Sequence, residues 1–342
     1  MKSGLSIALV DSGTLLAKDV KAVLTERGFP VGMLHRFHSG PPEAGLVTAE
    51  DDEATYVAPL APDALEACSI AFLCGRREDT ERFLATRLQD GCLAIDLSGV
   101  RRGAPLAVAG EPLPQGDLLL TPDPTAYVVA DVLASLDRLG PVSAATVVVD
   151  RPVSELGKKA LEELFQQAVA LATFRSLPKE ELGGQSAFNF CYPDDSDRYE
   201  SRVAEDIVRL LKRALPITVL SARAGVFHGH HLRVEARFQG EAPPAAAISS
   251  ALFGHRTVRD GATPSGFPPT PSAYENVDPE NLSGPVESAG RDETLVLRVR
   301  SLDGSARIFM ASDHLRRGGA LHGVRLAEQA VSERGMLAAS VS

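Results

Sequence analysis

Leu5–Val10, Ser69–Cys74, Cys92–Leu97 and Leu118–Leu120 are short runs in which nearly every residue is apolar. Amphipathic stretches with helical spacing, Leu15–Leu24 and Arg77–Leu88, separate them. A strand that is apolar on both faces is satisfied only in a sheet covered on both sides, the situation of a parallel sheet flanked by helices. Residues 1–122 are therefore expected to form a doubly wound α/β domain. The weaker part of this pattern is an extended piece at Val31–Leu34, a polar loop over His38–Asp52 and a short strand at Thr55–Val57.

Beyond Pro122 the texture changes. Ala145–Asp150 reads as a strand, Leu156–Phe174 and Ser201–Leu215 as long amphipathic helices, and Thr218–Ser221 with Val226–Phe238 as alternating β-structure. The Pro- and Gly-rich segment 239–290 reads as loop around a short helix at Ala245–Leu252. Thr294–Ser301 and Ser305–Ala311 form a hairpin across Asp303-Gly304, and Ser312-Asp313 can cap a last helix running to about Arg334. A mixed sheet backed by helices is expected over 123–311, with the helix of 312–342 returning to the first domain.

Several function classes are excluded by composition. The formal net charge is −10 and Lys and Arg form no stripe, so a nucleic-acid partner is not expected. No apolar run reaches the roughly 18–20 residues of a membrane span, and the apolar part of the start is too short for a secretory signal, so the expected location is cytoplasmic. Cys68, Cys74, Cys92 and Cys191 lack C-x-x-C spacing, which argues against a zinc site or a disulfide framework. His228 and His230 fall on one face of the expected strand with no third ligand in view, so no metal is expected.

Gly318 and Gly319 sit inside the last helix, where each Gly costs roughly 1 kcal/mol relative to Ala. Two explanations of a close approach stand open there, helix backbone against the sheet or a bound cofactor.

The ending SDHLRRGGALHGVRLAEQAV, residues 312–331, resembles the D-N-L-R-K-G-A-A-x-N-A-V-x-I-A-E helix of the aspartate-semialdehyde dehydrogenases. Other segments fall in that family's order. AIDLSGVRR (94–102) resembles I-D-N-S-S-A-F-R, Ala187-Phe188-Asn189 its A-F-N, RAGVFHGH (223–230) its R-x-P-V-x-x-G-H, and Pro269-Thr270-Pro271 its P-T-P. The resemblance spans essentially the whole chain. It implies a Rossmann-like dinucleotide-binding-type domain over 1–122, an α+β substrate and dimerisation domain with a mixed sheet over 123–311, and the helix of 312–342 returning to the first.

The resemblance also exposes two departures. The family's strand ends in N-P-N-C-[ST]-T, whose Cys attacks the aldehyde before hydride passes to NADP. Aligned on Pro122, this chain reads Thr121-Pro122-Asp123-Pro124-Thr125-Ala126, so Pro124 stands where the nucleophile belongs. Asp123 as cap and Pro124 in the first turn are a good helix start, and Pro124 offers no nucleophile. Thr125 supplies a hydroxyl one step away, and Cys191 a thiol far away in the chain. The family's Gly-rich G-x-x-G-x-x-G phosphate loop becomes Asp11-Ser12-Gly13-Thr14-Leu15-Leu16-Ala17. A carboxylate 4 Å from a phosphate charge costs roughly 4 kcal/mol at an effective dielectric near 20, about a thousandfold in affinity.

What remains of the family's site is His230 at the general-base position, with Arg102, Arg223 and Arg202 at anion-binding positions. If cofactor binding survives, Ser12, Gly13, Thr14 and Gly318 are its candidates. The reading is a pseudoenzyme of this oxidoreductase family: no cofactor is expected, NADP being the one if binding persists, and the chain acts as a binding or interaction protein, a homodimer or a heterodimer with an active paralogue. Two alternatives stand beside it, an active NAD(P)-dependent semialdehyde dehydrogenase with a rearranged site, and a sensor of a small anionic ligand built on Arg102, Arg223 and His230.

Overall fold

The computed structural model describes residues 4–11, 13–39, 46–50, 53–61, 63–86, 91–100, 105–253, 267, 274–276 and 283–336. The chain falls into two compact units, one of Met1–Pro122, Gly261–Thr270 and Gly319–Ser342, the other of Asp123–Asp260 and Pro271–Gly318.

The first unit holds β1 (Leu5–Val10), α1 (Leu15–Glu26), β2 (Val31–His38), β3 (Leu46–Glu50), β4 (Glu53–Pro59), β5 (Ile70–Leu73), α2 (Arg77–Thr86), β6 (Leu93–Asp96) and β7 (Leu118–Leu120). The strands order as β3-β4-β2-β1-β5-β6-β7, parallel throughout except that edge strand β3 runs antiparallel to β4. Continuous apolar strands fit because successive residues feed two cores. Ile7 and Leu9, with Ile70, Phe72, Leu93 and Ile95, pack on one face, and Ala8 and Val10, with Ala71, Leu73 and Ala94, on the other. The expected polar loop over His38–Asp52 is corrected by β3, LVTAE, an edge strand whose pairing partner is not visible in its own composition.

The second unit holds α3 (Pro124–Asp137), β8 (Val142–Arg151), α4 (Lys158–Ala172), β9 (Phe190–Cys191), α5 (Ser196–Leu211), β10 (Ile217–Ala224), β11 (His230–Phe238), α6 (Ala245–Phe253), β12 (Tyr274–Asn276), α7 (Pro285–Ser288), β13 (Thr294–Leu302) and β14 (Ser305–Ser312). Its sheet is mixed and ordered β12-β13-β14-β11-β8-β10-β9. The β13–β14 hairpin turns on Asp303 and Gly304, both at positive φ. Three boundaries differ from the sequence reading. A 3₁₀ turn at Val153–Leu156 and Gly157 at φ 94° precede α4, and Lys212 in the left-handed region ends α5 early. The strand expected from Val226 begins only at His230, because Gly229 at φ 83° breaks the extended run where a Cβ would meet Pro285. His228 therefore lies in a turn and shares no strand face with His230.

The chain returns through a single π-helical turn, Arg316–Ala320, into α8 (Leu321–Glu333). Asp313 opens this passage by accepting the backbone N–H of Leu315 at 2.9 Å. In the first unit, the apolar face of α8, from Leu321 through Val324, Ala327 and Val331, packs into the same core as α1.

Candidate functional site

The start of α3 is built by Asp123. Its Oδ1 accepts the Thr125 N–H at 2.9 Å, its Oδ2 takes the Arg202 guanidinium at 3.0 Å, and its own N–H donates to buried Asp206 at 2.9 Å. Pro124 occupies the first turn, where a missing N–H costs nothing. A Cβ on Gly318 would lie 2.5 Å from Cα of Pro124. The close approach that Gly318 allows is thus to the first residue of α3.

One step on, Thr125 begins a continuous hydrogen-bond chain. Its Oγ1 lies 2.8 Å from the Tyr199 hydroxyl and 2.9 Å from Nδ1 of His230. Nε2 of His230 lies 2.7 Å from Glu155, whose other oxygen accepts from Arg151 Nε at 2.7 Å. Burial works against the Glu155 charge, but the Arg151 guanidinium and the His230 hydrogen bond outweigh it and hold the carboxyl well below its ordinary range. A carboxylate only accepts, so in a neutral imidazole Nε2 carries the proton and Nδ1 accepts from Thr125. Tyr199 must then donate to Thr125. Its hydroxyl suits that role, because burial, then Asp123 and Glu155, push its ionisation far up.

Two planar groups close the cluster. Arg151 stacks 3.9 Å from the centre of the Tyr199 ring and also reaches Asp195 at 3.3 Å. His314 stacks on His230, ring centres 4.5 Å apart and 3° from parallel. Neither ring nitrogen of buried His314 has a hydrogen-bond partner among the described residues. Burial, reinforced by His230, pushes its imidazole down to about 4, so it stands neutral beside the chain.

Of the residues expected from sequence, His230, Arg223, Arg202 and Pro124 are all in this unit, and they do not form one open site. Arg202 is neutralised by Asp123. Arg223 lies beside Arg151 in the parallel β8–β10 register and is buried, with Nε and Nη2 lacking any partner among the described residues. Arg102, Ser12 and the segment 269–271 lie outside the described residues. Sequence reasoning missed Arg151, Glu155 and His314. The four-residue spacing of Arg151 and Glu155 is a signal for that pair, whereas nothing local marks His314. No three His, Cys, Asp or Glu side chains among the described residues stand close enough to hold a metal ion.

In the first unit, Asp11 sits at φ 58° after β1, and its carboxylate accepts both the N–H and the hydroxyl of Ser39 at 2.7 Å. The same carboxylate fills the space beside the Gly75 Cα. Thr14 caps α1 by accepting the Ala17 N–H, and Gly13 faces open space. The turn after β1 therefore holds a carboxylate of its own, engaged with the donors of Ser39 just past β2.

No family model matches the chain. Among known proteins it is similar to an aspartate-semialdehyde dehydrogenase of Rickettsia bellii, 24% identical over 95% of this chain and 97% of that protein. It is also similar to a USG-1 protein homolog of Azotobacter vinelandii, 26% identical over 97% and 99%. A solved structure of a probable aspartate-semialdehyde dehydrogenase from Pseudomonas aeruginosa superposes with a TM-score of 0.79 at 25% identity, covering 97% of this chain and 99% of that one.

Proposed function

We propose that this chain, which belongs to the aspartate-semialdehyde dehydrogenase family, no longer carries out the family's thiol-dependent dehydrogenation and acts as a binding subunit. The observation that carries the reading is the closure of His230. Thr125 and Glu155 engage both of its ring nitrogens, and the neighbouring residue that should bring a thiol is Pro124. A general base needs a nucleophile's proton within reach, and Pro124 has none to give.

NADP is bound by related structures of the family. The residues of this chain do not fit its phosphates: Asp11 occupies the turn with a negative charge, and its bonds to Ser39 hold it there. The cofactor has no role in this reading. Binding is supported instead by Arg223, a buried cation whose free nitrogens call for an anion.

The partner side of the proposal rests on the outer face of the mixed sheet. Leu220, Phe190 and Tyr192 are exposed there, around a concavity of about 850 Å³ that Val148, Asp150 and Arg233 also line. Exposed apolar area of this kind marks an interaction surface. Its occupant in this reading is a second copy of the chain or an active paralogue. Among the described residues no helix is long and apolar enough to cross a membrane.

The test is an assay with aspartate semialdehyde, phosphate and NADP, followed at the nicotinamide absorbance, together with calorimetric titration of NADP. No turnover and no binding heat are expected; turnover would instead establish an active enzyme with a rearranged site. A Pro124→Cys variant that gains turnover would show that the rest of the machinery is intact. The small-anion reading, favoured by Arg223, predicts that a dicarboxylate raises the melting temperature and that Arg223→Ala abolishes the rise.

A further inference from the structure

The chain departs from the motif that its ending resembles at one further place: His314 stands where D-N-L-R-K-G has Asn. That imidazole is 8% exposed and lies flat on the ring of His230, centres 4.5 Å apart and 3° from parallel. Its Nδ1 and Nε2 are both without a hydrogen-bond partner among the described residues. Leaving a buried polar group unpaired costs stability, and few native groups are left so. The packing therefore holds His314 in a place that does not meet its hydrogen-bonding needs.

Each acid that faces the ring is already engaged. Glu155, ahead of α4, accepts from Arg151 at the end of β8 and from His230 on β11. Asp123, ahead of α3, holds the Thr125 N–H and Arg202. Asp313, next to His314 in the chain, accepts the N–H groups of Gly290 and Leu315. An imidazolium carries two N–H donors and needs two acceptors, and none of these carboxylates bonds to His314. Charge on one ring also repels charge on the other, which at an effective dielectric near 20 weighs several-hundredfold against a doubly protonated stack. The stacked place suits a neutral His314 and not a charged one.

The chain on either side of the ring joins two fixed elements. Ser312, two residues back, ends β14 and pairs with His230. Two residues ahead begins the π-helical turn Arg316–Ala320, a form that recurs at functional sites, and its Gly318 lies against Pro124 at the start of α3. We infer that the His230–His314 stack is a proton switch: uptake of a proton expels the His314 ring and loosens the passage 313–318 from the start of α3. In the closed form the ring covers one face of His230 beside the chain of bonds from Thr125 to Arg151. In the open form the ring is in water, where both N–H groups are hydrated, and that face of His230 is free. Burial, reinforced by His230, pushes the closed-form imidazole down to about 4, against about 6.5 for one in water, so the open form gains as pH falls through 6.5. The switch belongs to the two rings and holds whether or not the chain dehydrogenates an aldehyde.

Hydrogen exchange of the full chain reads the opening, followed by peptide mass spectrometry at about pH 7.5 and about pH 5 and corrected for the intrinsic pH dependence of exchange. With imidazole values of about 4 closed and about 6.5 open, the open fraction rises roughly thirtyfold between the two. Peptides over 313–318 should lose protection at least about tenfold on acidification, while those over β8 keep theirs. His314→Phe keeps a flat ring that takes no proton and should show no such loss. No loss in the wild-type chain, a loss shared by β8, or an equal loss in His314→Phe overturns the inference. If His314→Phe lacks protection over β8 already at neutral pH, it is misfolded, and the wild-type chain decides by NMR titration of its histidine ring protons. There the His314 ring should titrate together with the loss of protection over 313–318; a ring that titrates while that protection stays, or the reverse, overturns the inference.

Discussion

The Thr125 hydroxyl lies 2.9 Å from Nδ1 of His230, the residue that the sequence resemblance sets at the family's general-base position. The hydroxyl is itself held by Tyr199 at 2.8 Å and is almost fully buried.

Thr125→Val keeps the side-chain shape and removes the hydroxyl. It leaves Nδ1 of His230 and the Tyr199 hydroxyl buried without their shared partner, which costs about 1–3 kcal/mol. Urea unfolding should show this as a lower midpoint at unchanged slope. A loss below about 0.5 kcal/mol, the size of a surface substitution, would mean that the network is not formed in solution.

Gly318→Ala places a methyl 2.5 Å from Cα of Pro124, against backbone that cannot rotate away. Overpacking of this kind costs about 1–3 kcal/mol. Gly13→Ala, facing open space, should change little. Equal melting temperatures for the two variants would contradict the packing of the π-helical turn on α3.

His314 sets a pH dependence. Its folded value of about 4 lies below the unfolded value near 6.5. Between the two, the unfolded chain binds a proton that the folded chain refuses, so the His314 contribution is fully present above about 6.5 and is lost as pH falls toward 4. Asp96 acts with the opposite sign. Burial, against the hydrogen bonds of Ser98, pushes it up to about 6, so the folded chain takes that proton first and gains stability as pH falls from about 6 to the unfolded value near 4. His314→Phe should therefore lose less stability than wild type between pH 6.5 and 4. Parallel stability curves for the two proteins would rule out His314 as the source.

Asp11→Gly removes the carboxylate from the first turn and puts a residue there that adopts φ 58° without strain. If charge at this turn is what excludes the dinucleotide, the variant should bind NADP at least tenfold more tightly than wild type in calorimetry. Equal affinity would place the obstacle elsewhere.

Much of the fold was legible because its signals are local. The alternation of Ile7, Ala8, Leu9 and Val10 into two cores reads directly from a continuous apolar run, and the β13–β14 hairpin from Asp303-Gly304. Elements whose reason lies in a partner were less legible. Strand β3 depends on pairing with β4, and the start of β11 depends on Gly229 meeting Pro285.

By itself the sequence carried the resemblance to the family, the two-sheet architecture and Pro124 at the position where that resemblance expects a nucleophile, since these rest on residue types in a fixed order. Only the tertiary structure decided what surrounds that position. Arg151, Glu155, Tyr199, His230 and His314 come from different elements, and Cys191 meets Arg223 only through strand register. Hydrogen bonds and ion pairs act over about 3 Å of space whatever the separation along the chain. The pattern of residues could therefore set Pro124 where the resemblance places a thiol, and only folding could show that the Thr125 hydroxyl and the Glu155 carboxylate engage both ring nitrogens of His230.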